Sequence, residues 1–318
     1  MDTAAVFGWP GGEFYVSAVD QDGEDGSVEA GDFQAYSNID ERDFRGVYEV
    51  WYQHTLLDGR LRLKAGKLDA NSEFAYVDWG GGFIHSSPGF SPTIQAFPSY
   101  PDPATSVNVF VYPDDRWYAG IGVYDGATQA GIETGTRGPS TFLGEPSDLF
   151  VIGEGGLRHE LGGAPGRVGL GAWRHSGDFG RFDGGREDEA EGFYAVLDQA
   201  LAAPGPDGEA PVGVFAQYGW ADPEISPVEH HAGAGIAWHG PLAARPDDGA
   251  GLMASYVRFS DEPGAGFADD GELAVEVYYD ARVTGWLGLK PVLQYIENPG
   301  GQGLPDAWVG TLRMELAL

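Results

Sequence analysis

Leu273-Ala274-Val275-Glu276-Val277-Tyr278-Tyr279-Asp280-Ala281 is the stretch that decides the fold of this chain. Leu273, Val275, Val277, Tyr279 and Ala281 share one parity; Ala274, Glu276, Tyr278 and Asp280 share the other. Successive side chains of a strand point to opposite faces, so this segment reads as a strand with one apolar and one wet face. Val47-Tyr48-Glu49-Val50-Trp51-Tyr52-Gln53 and Arg60-Leu61-Arg62-Leu63-Lys64-Ala65 alternate in the same way. A soluble sandwich shares that pattern. The distinguishing feature is its repetition over about fourteen segments, with charges recurring on the wet face. That fits a closed barrel with hydrocarbon outside and water inside.

Strands are expected near residues 13–20, 46–56, 60–69, 106–113, 116–125, 149–159, 167–176, 192–200, 211–220, 230–239, 250–260, 272–283, 286–296 and 307–318. Their connections alternate in length. Leu57-Asp58-Gly59, Asp114-Asp115, Leu161 to Gly166 and Thr284-Gly285 are short; 70–105, 126–148, 177–191 and 297–306 are longer. Outer-membrane up-and-down barrels have short periplasmic turns and long external loops. Asp32 to Ile39 is weakly strand-like, but a strand there breaks the alternation, so 21–45 is assigned to one external loop. The expectation is an all-β, antiparallel transmembrane barrel forming a single domain over 1–318, its last strand ending at Leu318 on the periplasmic side.

Composition narrows the function. The formal charge of −31 and pI near 4.2 argue against nucleic acid, whose phosphates require a basic face. An aromatic content of 13% supplies too much apolar surface for a disordered acidic chain. The absence of cysteine excludes disulfides, thiolate catalysis and Cys-ligated metals. No apolar run is long enough for a membrane helix, whereas barrel strands of ~9–11 residues need none. Met1-Asp2-Thr3 leads into Phe7-Gly8-Trp9-Pro10 with no export signal, so the start reads as cytosolic, trimmed or truncated.

Parity assigns the faces. Leu312, Met314, Leu316 and Leu318 are expected to face lipid, with Thr311, Arg313 and Glu315 inward. Leu287, Leu289, Leu293 and Tyr295 go outward, and Lys290 and Gln294 inward. Tyr48, Val50 and Tyr52 go outward, and Glu49, Trp51 and Gln53 inward. Arg or Lys turned to lipid at midplane costs about 2–4 kcal/mol, while the same charge in a wet lumen costs little.

Several stretches together are informative. Leu56-Leu57-Asp58-Gly59-Arg60-Leu61-Arg62-Leu63-Lys64-Ala65-Gly66-Lys67-Leu68-Asp69-Ala70-Asn71-Ser72-Glu73-Phe74 resembles the carbohydrate-selective porin family of Gram-negative outer membranes. So do Gly8-Trp9-Pro10-Gly11-Gly12, Ser86 to Pro92, Gly171 to Phe179 and Leu293 to Gly301, in family order across nearly the whole chain. The resemblance implies a barrel of sixteen strands that passes mono- and oligosaccharides down their gradient. Two features depart from it. Fourteen strands are read here, so either about two strands and the export signal are missing upstream of Met1 or the barrel closes with fewer. The chain also ends in Leu318 where such barrels usually end in Phe.

A sugar pore needs a narrow wet constriction, with charged groups for hydroxyls and aromatic rings for apolar C–H faces. The inward row Arg60, Arg62 and Lys64, opposite Glu49 and Gln53, is the first candidate; a lumen salt-bridge ladder that only stiffens the wall is the alternative. Trp51, Arg116 and Lys290 are further inward candidates. The long 70–105 connection carries Phe74, Trp79, Phe83 and Phe90 among seven aromatics, and is expected to fold into the lumen. Trp173 and His175 are inward by parity, Trp173 as a stacking platform or as wall packing. Asp198, Gln217, Glu276, Arg313 and Glu315 are lesser lumen candidates. The acidic run Asp20 to Gly26 lacks clean calcium-loop spacing. His230 and His231 point to opposite faces and cannot chelate one metal together. No cofactor or metal is expected. Expected partners are carbohydrate solutes, outer-membrane lipid and lipopolysaccharide, and two more copies in a homotrimer. The competing readings are a general small-solute porin and a soluble all-β glycoside hydrolase with two carboxylates about 5–9.5 Å apart.

Overall fold

The computed structural model describes residues 1, 3–205 and 208–317; Leu318, expected to face lipid, lies outside them. The strands are β1 (Gly12–Gln21), β2 (Phe44–Leu56), β3 (Leu61–Leu68), β4 (Ala104–Val111), β5 (Trp117–Asp125), β6 (Leu149–Leu161) and β7 (Ala164–His175). A small ribbon follows, β8 (Phe179–Gly180) with β9 (Arg186–Glu187). The wall continues through β10 (Ala190–Ala200), β11 (Val212–Ala221), β12 (Val228–His239), β13 (Gly249–Phe259), β14 (Gly271–Thr284), β15 (Leu287–Glu297) and β16 (Ala307–Leu316). Apart from the ribbon they form one 14-stranded antiparallel meander in which each strand pairs with its chain neighbours. Among the described residues no ladder joins β1 to β16. The region 22–43 contains no strand, as the alternation of connections required.

The outer surface has the layering of a membrane barrel. Val107, Ile121, Leu170, Leu252, Val277, Leu293, Leu312 and Met314 are exposed apolar residues on the outward parity. Trp9, Trp117 and Trp286 are exposed near the short-turn end; Phe193, Tyr256 and Trp308 are exposed near the long-loop end. Two aromatic girdles bracketing an apolar band are what headgroup layers on either side of hydrocarbon select. Arg45, Arg174 and Arg258, charged residues on the outward parity, sit at the external ends of β2, β7 and β13.

One face assignment is corrected. Tyr48 does not point to lipid. The β1–β2 register slips between Ser17 and Ala18, so Ser17 pairs with Glu49 while Ala18 pairs with Val47. The extra residue at this bulge is Tyr48, whose hydroxyl donates to the Asp69 carboxylate and whose ring lies 6.0 Å from that of Tyr100. A single inserted residue reverses parity on one side of it.

The meander wraps around residues 69–103. Phe74 stacks on Phe110 of β4 and Trp79 on His239 of β12; Phe97 meets Phe150 of β6 at a tilt, and Phe83 meets Phe215 of β11 and Tyr278 of β14 edge-on. One segment therefore reaches opposite parts of the wall, as folding into the lumen requires. Inward glycines make room for it. A Cβ at Gly213 collides with the Trp79 ring, and one at Gly251 comes within 2.8 Å of Phe83 Cζ. The external loop 22–43 packs on top: Asn38 N–H donates to Ile84 O (2.6 Å), and Ser86 N–H donates to Ala35 O (3.0 Å).

Candidate constriction around the inserted segment

A non-regular segment inside a barrel must satisfy its backbone N–H groups without water. Here carboxylates on the inward parity do so. Glu276 of β14 accepts the N–H groups of Ile84 and His85, each at 2.9 Å, and the Gln294 side-chain amide at 2.7 Å. Glu154 of β6 accepts from Ala75 N–H (3.0 Å), Tyr118 (2.6 Å) and Tyr194 (2.9 Å). Asp198 of β10 accepts the Trp79 N–H at 3.0 Å. Arg167 of β7 lies between the last two, 3.4 Å from Glu154 and 3.1 Å from Asp198, and donates to Tyr76 O. Each hydrogen bond to a charged partner contributes roughly 1.5–3 kcal/mol, so these contacts fix the segment's path.

A further attachment has a carboxylate on the segment and cations on the wall. Glu73 belongs to the segment, and its side chain is 2% exposed. It pairs with Arg62 of β3 and with Lys64 Nζ at 2.7 Å. Lys64 Nζ lies 3.7 Å from the centre of the Trp51 ring, and that ring stacks on Tyr15 at 4.9 Å. The Arg62 guanidinium sits 4.4 Å from the Phe110 centroid and donates to Gln53 Oε1 at 3.4 Å; its side chain is 23% exposed. Of the expected row, then, Trp51, Gln53, Arg62 and Lys64 do converge. Glu49 stands just outside the group, accepting the Asp69 N–H at 3.2 Å. Arg60 does not join: it lies exposed in the β2–β3 turn, and the strand begins one residue later.

Two cavities open against the inserted segment on either side of Glu73 in the chain. One of ≈ 430 Å³ opens among the external loops, lined by Asp40, Glu41, Asn71, Phe90 and Tyr100 among others. The other, ≈ 850 Å³, opens at the short-turn end and is lined by Tyr76, Trp79, Arg116, Arg158, Arg167 and Asp198 among others. Asn71 borders the first and Tyr76 the second, so Glu73 sits in the stretch of chain between them. The Arg158 guanidinium faces the larger cavity, 5.1 Å from the Tyr118 ring and 5.6 Å from that of Tyr112, and makes no ion pair or hydrogen bond among the described residues.

The other candidates are placed elsewhere. Lys290 is inward but spent on structure, donating to Gly82 O at 3.1 Å and lying 3.4 Å from Asp280. Trp173 is 3% exposed and stacks on Phe150 at 6.0 Å; it is wall packing and offers no platform to a passing solute. His175 is fully buried; it accepts the Gly177 N–H at Nδ1 and therefore donates from Nε2 to Gly126 O. Phe74 and Phe83 are buried between the segment and the wall, while Trp79 and Phe90 reach the cavities. Glu73, Tyr76, Arg158 and Arg167 are absent from the sequence-based set. Parity pointed to two of them: Arg158 shares the inward parity of Glu154, and Arg167 that of Trp173.

A family model for carbohydrate-selective porins of the OprB type matches residues 1–318. The chain belongs to the carbohydrate-selective porin, OprB family. It is similar to Porin B of Pseudomonas aeruginosa, with 24% identity over 95% of this chain and 76% of that protein. Among solved structures, the high-pH form of Pseudomonas putida OprB matches with a TM-score of 0.80 at 19% identity, covering 99% of this chain and 85% of that one. The outer-membrane channel DcaP of Acinetobacter baumannii matches at 0.53 with 6% identity, over 95% and 79% of the two chains. This OprB-family chain is an outer-membrane channel and not an enzyme, and the hydrolase reading is set aside. Because those structures are so distant in sequence, they speak to the fold alone; the roles of Glu73, Arg62 and Arg158 rest on this chain's own geometry.

Proposed function

We propose that this chain conducts mono- and oligosaccharides passively between its two cavities, past the Glu73–Arg62–Lys64 cluster, with selectivity set by that charged and aromatic narrowing. The observation that carries the reading is the position of Glu73: almost fully buried, held by two cations, and located between residues that border opposite cavities. Arg62 offers a partly open guanidinium for sugar hydroxyls, while the buried Phe110 ring beneath it and the Trp51 ring beside Lys64 hold the two cations in place. Arg116, Arg158 and Tyr76 form the exit side in this reading, and Phe90 with Tyr100 the entry side. The unit is a single barrel domain with lipid around it; a homotrimer is the assembly we propose.

The test is planar-bilayer conductance of the refolded protein titrated with glucose and maltose. Concentration-dependent block by sugars is expected. A current indifferent to both sugars up to high concentration points instead to a general small-solute porin. The mass of the detergent-solubilised particle checks the trimer.

A further inference from the structure

The outer wall carries a feature unrelated to the passage. At the external ends of β2, β3 and β4 a groove of ≈ 690 Å³ lies between the strands and residues 135–139 of the β5–β6 loop. Its floor is apolar: Val47 and Val50 belong to the outward face of β2 on either side of the bulge at Tyr48. Arg45, Lys67 and Arg137 border it as well; Lys67 pairs with Val50 in the β2–β3 register, and its Nζ reaches back to donate to Val47 O. On a chain with only 18 basic residues and a net charge of −31, three cations around one lipid-facing groove require a reason.

Their partners supply one. The Arg137 guanidinium is exposed and makes no hydrogen bond or ion pair among the described residues. Lys67 Nζ donates to two neutral acceptors, Val47 O at 2.7 Å and Gly135 O. Arg45 is shared with Asp20 (2.7 Å) but is 81% exposed. The other nearby acids are already engaged: Asp102 with Arg42 at 3.0 Å and with the Gly135 N–H at 3.2 Å, and Glu133 with Arg42 at 3.4 Å. The Asp102 contact, with Thr134 Oγ1 donating to Asp102 O, holds the overhanging loop in place. The groove is therefore fixed, short of negative charge, and sets cations directly beside an apolar stretch of the outer wall.

We propose that this groove binds a phosphorylated lipid of the outer leaflet, the lipid A anchor of lipopolysaccharide. Its acyl chains lie along Val47 and Val50, and a glucosamine phosphate sits between Lys67 and Arg137. Arg–phosphate hydrogen bonds are charge-assisted, and the flanking hydrocarbon lowers the dielectric around them. A free phosphate uses the rim and leaves the apolar floor unused; a phosphorylated lipid uses both. The inference rests on the outer-membrane placement of the barrel and is independent of which solute crosses it.

The experiment is native mass spectrometry of the detergent-purified protein with three probes: bis-phosphorylated lipid A, the same lipid stripped of phosphate, and phosphatidylethanolamine. Preferential retention of the phosphorylated lipid A is expected. Arg137→Ala should weaken that retention roughly fivefold, and Arg137→Ala with Lys67→Met more than tenfold, about a factor of five per cation. Lys67→Arg should restore it. Arg137→Ala changes an exposed loop residue without partners, so it tests the site without threatening the fold. Sugar-dependent current block is recorded on the same preparations. Retention lost in the variants with block unchanged supports the lipid site. Intact phosphate-dependent retention without any sugar block also supports it, while counting against the channel reading. Equal retention of phosphorylated and phosphate-free lipid, or undiminished retention by the double variant, overturns it.

Discussion

Glu276 on β14 accepts the Ile84 N–H at 2.9 Å, a contact between residues 192 positions apart that ties the inserted segment to the barrel wall. The same carboxylate takes the adjacent His85 N–H, so one side chain satisfies two consecutive buried donors. Replacing Glu276 with Ala orphans both, at roughly 1–3 kcal/mol each. Glu276→Ala should lower the thermal midpoint and raise single-channel conductance as the segment loosens. Wild-type conductance in the folded variant means the anchoring is dispensable.

The Glu73 cluster makes opposite predictions for its two signs. Arg62→Ala with Lys64→Ala leaves a buried anion and should shift ion selectivity toward cations. Glu73→Gln leaves two cations and should shift it toward anions. Reversal potentials in a salt gradient read both. If neither variant moves the potential, the cluster lies off the conducting path.

Arg167 bridges Glu154 and Asp198 at the inner edge of the larger cavity, its side chain only 8% exposed. Arg167→Met abandons two buried carboxylates and should cost about 3–5 kcal/mol. Arg158→Ala, by contrast, removes an unpartnered guanidinium over Tyr118 and should leave stability within about 1 kcal/mol. Thermal unfolding in detergent separates the two. Sugar titration of Arg158→Ala should show weaker block.

The external loop should respond to acid. Burial, reinforced by the neighbouring Glu272 carboxylate, pushes Asp32 up from 3.8 to about 6. Ser27 and the backbone at Asp32 and Tyr36 oppose the shift without cancelling it. Glu272 meanwhile accepts the Phe33 N–H at 2.7 Å, the Gln34 N–H at 3.1 Å and the Gly300 N–H at 2.6 Å, docking the loop. A raised carboxyl favours the docked state in its protonated form. The contribution is therefore complete below about pH 4 and is lost as pH rises through about 6. Hydrogen exchange at the Phe33 and Gln34 amides should be slower at pH 4.5 than at 7.5 after correction for intrinsic rates. Asp32→Asn should flatten that difference and protect the loop at pH 7.5 by about 1–3 kcal/mol. Equal protection of wild type and variant at pH 7.5 contradicts the assignment.

Much of the wall was legible from residues close together in the chain. Leu312 and Met314 against Arg313 needed only the strand's period of two, and the match to OprB-like stretches came from consecutive residues. Tyr48 escaped because a bulge is set by pairing with β1 and not by β2 itself. Trp173 and Glu276 were correctly turned inward, yet parity says nothing of what an inward side chain meets. Each meets packing or loop backbone instead of solute.

Alternation of side chains and connection lengths, both local properties, determined the fourteen antiparallel strands, the lipid-facing band and the long inserted connection. The tertiary structure alone decided which inward charges border open space. Glu276 reads identically in sequence whether its carboxylate faces water or a buried N–H, and only the path of residues 69–103 distinguishes the two. That path is fixed by contacts such as Glu154 with Ala75 and Lys290 with Gly82, between residues 79 and 208 positions apart. A pattern confined to neighbouring residues cannot encode such distant partners.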